Sequence, residues 1–200
     1  MKKENYDNLM QKIIKTVSKG SKLLMHACCA PCSTSCIERL KDVFDITVYF
    51  YNPNMDSFEE YQLRAKEQHR LCESSGVKLI VEEYNSEEYY NKVQGLQNEP
   101  EGGSRCAKCF ELRLNKTALY AKENGFDYFT TTLTVSPLKN AELINFTGDA
   151  ISKSVGINFL PTDFKKRNGY LRSIELSKEY DLYRQNYCGC IFSKNLVPSK

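Results

Sequence analysis

Lys22–Cys32, KLLMHACCAPC, is the stretch on which the fold turns. Lys22 to His26 has the length and apolar character of a short buried strand, and it runs straight into Cys28, Cys29 and Cys32. On its N-terminal side, Tyr6, Leu9, Met10, Ile13, Ile14 and Val17 recur at the spacing of an amphipathic helix over residues 4–18, stopped by Gly20. On its C-terminal side the pattern alternates. A helix is expected from about Ser33 to Val43, then a strand at Ile46–Tyr51 ended by Asn52-Pro53-Asn54. A long helix from Ser57 to Glu73 closes at Gly76, and Val77–Glu82 reads as a third strand.

The second half repeats the alternation. A short helix over Glu87–Val93 leads through the polar loop Gln97–Ser104 to a helix from Arg105 to Asn124, stopped by Gly125. Asp127–Thr132 is a fourth strand, Asn140–Val155 a helix stopped by Gly156, and Ile157–Leu160 a short fifth strand. A basic turn, Lys165–Asn168, precedes a helix over Leu171–Tyr180. Strands alternating with helices require crossover connections, so the expected class is α/β. It is a three-layer parallel sheet of about five strands with helices on both faces. One domain is expected over residues 1–200, with a cysteine-bearing C-terminal extension from about residue 165. Ligands of such sheets sit beyond the carboxyl ends of the strands, where the first cysteine group falls.

The chain has 200 residues, 41% of them apolar and 26% charged, with 28 Lys and Arg against 25 Asp and Glu. A net charge of +3 is compatible with a nucleic-acid partner but short of binding by charge alone. The first twenty residues lack the apolar run of a secretory signal, and no stretch has the length of a membrane span. A cytoplasmic protein is expected, its thiols reduced, metal-bound or cycling.

Eight of nine cysteines fall into three groups: Cys28, Cys29, Cys32 and Cys36; Cys106 and Cys109; Cys188 and Cys190. With only two histidines, such bunching points to soft-metal or redox chemistry. Two distant C-x-x-C pairs suit structural zinc, and four thiolates equally suit an iron–sulfur cluster; spacing leaves both open. Cys106 and Cys109 open a helix, where the N-terminal dipole favours thiolate. Cys188-Gly189-Cys190 would close a small, strained, reducible ring, which reads as a redox-active dithiol better than as a staple. Such a dithiol beside a four-thiolate centre suits two-electron chemistry. Cys36 and Cys72 read as core. His26 reads as a hydrogen-bonded core histidine able to move protons at the site, and His69 as surface.

His26-Ala-Cys-Cys-Ala-Pro-Cys32, Arg105-Cys-x-x-Cys-Phe110 and Tyr187-Cys-Gly-Cys190, in this order, resemble the QueH-type epoxyqueuosine reductases from about residue 20 to 192. The topology resembles nucleotide α-hydrolase-like domains, although no Ser-Gly-Gly phosphate loop follows the first strand and ATP use is not expected. The resemblance implies reduction of epoxyqueuosine to queuosine at the wobble position of tRNA, the epoxide oxygen leaving as water. It implies a [4Fe-4S] cluster on Cys28, Cys29, Cys106 and Cys109, and a redox-active disulfide between Cys188 and Cys190. It suggests an additional mononuclear iron, with Cys32 as its ligand. The implied partners are tRNA carrying epoxyqueuosine and an electron donor of unassigned identity, with no membrane. For contacts to tRNA, Lys165, Lys166, Arg167, Lys108 and Arg113 are weighed against a solvated basic surface. For base stacking, Tyr49, Tyr51 and Phe110 are weighed against core packing. The alternative function is a zinc-stabilised tRNA-binding module without catalysis; an ATP-using tRNA-thiolating enzyme is disfavoured by the missing phosphate loop.

Overall fold

A computed structural model describes residues 4–196. Its sheet holds β1 (Ser21–His26), β2 (Phe44–Phe50), β3 (Lys78–Val81), β4 (Tyr128–Thr131) and β5 (Asn158–Phe159), all parallel, in the order β3-β2-β1-β4-β5. The helices are α1 (Tyr6–Thr16), α2 (Ala30–Leu40), α3 (Phe58–Ser75), α4 (Ser86–Lys92), α5 (Ser104–Glu123), α6 (Ala141–Val155), α7 (Gly169–Glu179) and α8 (Ile191–Lys194). No helix among the described residues is long and apolar enough to cross a membrane.

Both faces of the sheet are covered, as buried parallel strands require. Side chains of β1 alternate: Leu23 and Met25 join a core formed with Met10, Ile37, Leu40, Leu71 and Phe164, whereas Leu24 meets Leu114, Ala118, Ile144 and Phe129 on the opposite face. The first core lies under α1, α2 and α3, the second under α5 and α6. At the second, α6 comes so close to the sheet that a Cβ on Gly148 would lie 2.4 Å from the Phe159 ring. A buried carboxylate fixes α1: Asp7 accepts from Arg39 of α2 at 2.5 Å and from Arg167, in the turn before α7, at 2.7 Å.

Most boundaries fall within two residues of expectation; α2 is shifted by three, which shapes the site, and a turn not expected follows β4. The helix after β1 begins at Ala30 rather than Ser33, with Cys29 as its N-cap and Pro31 in its first turn. Proline suits that turn because its fixed φ is helical and its missing N–H would have no partner there. Cys32 is therefore a helix residue. After β4, Thr132–Val135 winds into a 3₁₀ turn, anchored by Thr131 Oγ1 accepting from the Leu133 amide.

Because the order reverses direction around β1, the segments after β1, β2 and β4 surround one crevice. The tail is strapped across α3 to reach it. Arg70 donates to the Tyr180 and Asp181 carbonyls, the Tyr183 amide donates to Glu67, and Asp56 accepts from both Tyr187 and Lys194.

The Gly148 contact predicts that Gly148→Ala will force the Phe159 ring aside. The expected cost is about 1–3 kcal/mol, read as a lower midpoint in urea with the same slope.

Candidate functional site

The first cysteine group is built by the junction of β1 and α2. Cys28 ends the loop, Cys29 caps the helix and Cys32 lies in its first turn. Their three sulfurs lie within 4.8 Å of one another, with Cys28 and Cys29 at 3.8 Å. All nine cysteines carry free thiols, and Cys28 and Cys29 are buried. Thiol hydrogen bonds from Cys29 and Cys32, helped by nearby Arg113 and Lys139, hold Cys28 well below the ordinary thiol range. Its two neighbours are pushed up in return, chiefly by those same bonds.

Cys106 and Cys109 sit in the first two turns of α5, three residues apart and so on one side of the helix. Cys106 packs in the same apolar cluster as Cys28, Cys29 and Cys32. Cys109 packs instead with Cys190 and Tyr89. Burial pushes its thiol up to about 12. The N-termini of α2 and α5 thus both approach the sulfurs, a placement that favours negative charge there.

The third group arrives on the strap. Gly189 has φ +113, and a Cβ on it would lie 2.7 Å from Met55 Sδ and 3.2 Å from Arg64 Nη1, so only glycine fits. Its carbonyl accepts from the Asp56 amide, and the Cys188 carbonyl lies 3.4 Å from Arg64 Nη1. Cys188 is half-buried and faces Lys139, whose Nζ lies 3.2 Å from its sulfur. Burial opposes the Lys139 charge, but the Cys188 and Cys28 sulfurs outweigh it and keep the ammonium protonated. Cys190 is buried beside Tyr89, and burial raises its thiol.

Two adjoining cavities join these groups. A cleft of about 560 Å³ is lined by Cys28, Cys32 and Cys188, by Leu133, Val135 and Pro137 on an apolar wall, and by Tyr170, Arg184 and Gln185. A smaller cavity holds Cys106, Cys109, Cys188, Cys190, Tyr89 and Asn54. Lys139 and Cys188 border both. All three cysteine groups therefore gather at the carboxyl end of the sheet, but among the described residues only Cys28, Cys29 and Cys32 stand close enough to share a single ion, and Cys106 and Cys109 lie outside that group.

The structure overturns the surface reading of Arg113 and decides several readings that the sequence left open. Arg113 is fully buried and makes no phosphate contact. It donates to Asn52 Oδ1 at 2.7 Å and to His26 Nε2 at 3.2 Å, and its Nη1 lies 3.9 Å from Cys109 Sγ. His26 is fully buried; burial, with Arg113 beside it, pushes the imidazole down to about 3, so it is neutral rather than a proton carrier. Nε2 also lies 3.1 Å from the Tyr51 carbonyl, but the guanidinium proton is permanent. The ring proton therefore belongs on Nδ1, facing Thr131 Oγ1 at 2.9 Å. Tyr49, Tyr51 and Phe110 are core residues, the first two lying on and just beyond β2. Of the basic turn, Lys165 pairs with Asp163 and Arg167 with Asp7; Lys108 pairs with Glu111. Cys36 and Cys72 are buried and His69 is exposed, as read from the sequence.

Sequence reading missed Lys139, Asn54, Arg64 and Tyr170. The first, second and fourth lie in or beside loops with no periodic signal. Arg64 shares the polar-looking face of α3, yet it is 1% exposed, with Nε 2.6 Å from Glu60.

The fold matches, over 93% of this chain and 67% of the other, a U34-tRNA thiolase from Methanococcus maripaludis, NcsA, solved with its [4Fe-4S] cluster, at TM-score 0.54 and 13% identity. At that identity the likeness concerns the fold alone. Relatives are far nearer in sequence. An epoxyqueuosine reductase QueH from Streptococcus pyogenes serotype M1 is 46% identical across 97% of this chain and 80% of its own length. One from Staphylococcus epidermidis is 44% identical, across 96% and 85%. One from Thermotoga maritima is 36% identical, across 86% and 89%. The model of the family described as epoxyqueuosine reductase QueH matches residues 23–196, a span that takes in every one of the converging cysteines. The chain belongs to the epoxyqueuosine reductase QueH family.

Proposed function

We propose that this chain reduces epoxyqueuosine to queuosine in tRNA, removing the epoxide oxygen as water. One observation carries the reading: cysteine groups some 80 residues apart in sequence meet at the strand ends around two adjoining cavities, Cys28, Cys32 and Cys188 on the cleft of about 560 Å³ and Cys106, Cys109 and Cys190 on the smaller one. Cys28, Cys29, Cys106 and Cys109 would hold a [4Fe-4S] cluster, and Cys32 is the thiol available to an additional iron. The surroundings fit such an occupant. The donors are all sulfur, as iron–sulfur centres require, and the buried Arg64 and Arg113 with the half-buried Lys139 supply positive charge to balance bound thiolates. When bound, the cluster supplies electrons singly and an iron able to act as a Lewis acid.

The chain's own residues supply the rest. Turning an epoxide into an alkene consumes two electrons and two protons. The Cys188/Cys190 dithiol carries both; it ends as the disulfide, and the oxygen leaves as water. An external electron donor, of unassigned identity, then returns two electrons and two protons to that disulfide. Lys139 Nζ holds a proton beside Cys188 and orients its sulfur at the junction of the two cavities. Leu133, Val135 and Pro137 exclude water from the carbocycle, and Tyr170, with the Arg184 guanidinium 5.7 Å from its ring centroid, offers a platform on which a flipped base stacks.

Three measurements test this. Anaerobically prepared protein is expected to contain iron and sulfide and, given a reductant and epoxyqueuosine-bearing tRNA, to yield queuosine by nucleoside mass spectrometry. Colourless, zinc-containing protein that leaves the tRNA unchanged would establish the zinc-stabilised binding module instead. Cys188→Ser is expected to retain iron content and absorbance while completing no more than one turnover; repeated turnover would remove the dithiol from the mechanism. Tyr170→Leu is expected to raise KM for tRNA about tenfold, the worth of one base–aromatic stack, with kcat close to that of the parent. An unmoved KM would place the base elsewhere.

A further inference from the structure

Asn52 and Asn54 flank Pro53 at the end of β2, carry the same side chain, and are both buried, at 0% and 1% exposure. Their hydrogen bonding is opposite. Asn52 is satisfied at both ends, donating to the Ala27 carbonyl at 2.9 Å and accepting from Arg113 at 2.7 Å. Asn54 has no partner on either Nδ2 or Oδ1. Leaving a buried amide unpaired is unfavourable, and native proteins rarely tolerate it without a reason. The reason lies in where Asn54 stands, in the wall of the smaller cavity with Cys109, Cys188 and Cys190. Arg64 repeats the theme from the neighbouring helix, its Nη2 also buried and unpartnered.

We infer that Asn54 is a tuning residue for the bound iron–sulfur centre, its Nδ2–H donating a hydrogen bond to a sulfur of that centre. The inference rests on the cluster reading above. Donors directed at sulfur stabilise the reduced, more negative form and raise the reduction potential. Asn54 would thus decide how readily the centre passes an electron onward, without ligating iron or touching the substrate.

The test is Asn54→Leu, which keeps the branched skeleton at somewhat larger volume and lacks the donor, measured against the parent protein after anaerobic reconstitution with iron and sulfide. Iron content should be retained while the midpoint potential falls by about 59 mV, a tenfold shift of the one-electron equilibrium toward the oxidised form. Thermal unfolding adds a second readout. The iron-free variant should unfold at the parent's temperature or above, because the unpaired amide is gone, whereas the loaded variant should gain less from loading than the parent does. If Leu prevents folding, Asn54→Ser and Asn54→Ala repeat the comparison at smaller volume, and only Ser, which keeps a donor, should hold the potential. An unchanged potential in an iron-loaded donorless variant overturns the inference and leaves the cluster reading standing. A parent protein that takes up no iron or sulfide overturns both.

Discussion

Everything at the strand ends is organised around one guanidinium. Arg113 lies in the middle of α5 with no exposure to water, bonded to His26 at the end of β1 and Asn52 after β2, and beside Cys109 one helical turn back. A charge so placed costs several kcal/mol in desolvation unless it is closely paired. Its hydrogen-bonding partners are neutral acceptors, His26 Nε2 and Asn52 Oδ1, and the sulfurs that act on its charge are Cys109 first, then Cys28 and Cys188, one from each cysteine group. The cation therefore holds together three segments that are remote in sequence, and of the sulfurs around it Cys28 is the one held in the thiolate range. Site and scaffold are in this sense one problem.

The local rules that gather those sulfurs are ordinary ones. Parallel pairing puts the ends of β1 and β4 side by side, with His26 opposite Thr131 in register. Proline in the first turn of α2 lets the helix begin immediately, turning Cys29 and Cys32 inward together. On α5 the three-residue interval does the same for Cys106 and Cys109. No strained backbone is needed for these four ligand candidates. On the strap Gly189 takes a positive φ where the chain must pass between Met55 and Arg64, and away from the cysteines Arg167, Asn168 and Asp181 take positive φ without being glycine.

The elements of the fold were legible because periodicity and glycine stops agree. Gly20, Gly76, Gly125 and Gly156 all take positive φ where a helix or connection was expected to end. The start of α2 was misplaced because Pro31 reads equally as a turn breaker and as a helix opener. The cysteines were legible by type and interval alone. Their surroundings were less so: Arg113 resembles a surface base beside a ligand pair, and only its four-residue interval from Cys109 hints that both share a buried face. Tyr49 and Tyr51 look like stacking platforms, although a strand covered on both sides buries every residue. Lys139, Asn54 and Tyr170 gave no signal, since neither turns nor helix starts announce which distant loop they will face.

The two sulfurs of the strap are unequal in their access. Cys190 is shut in beside Tyr89, whereas Cys188 looks into the cleft that is assigned here to the base. On the proposed mechanism one cleft would then serve two visitors. RNA in it would cover the Cys188 side of the dithiol, so the oxidised enzyme would release its product before being recharged. Traffic through one opening would make the kinetics ping-pong, with parallel rather than converging reciprocal plots, and an excess of RNA would throttle its own conversion.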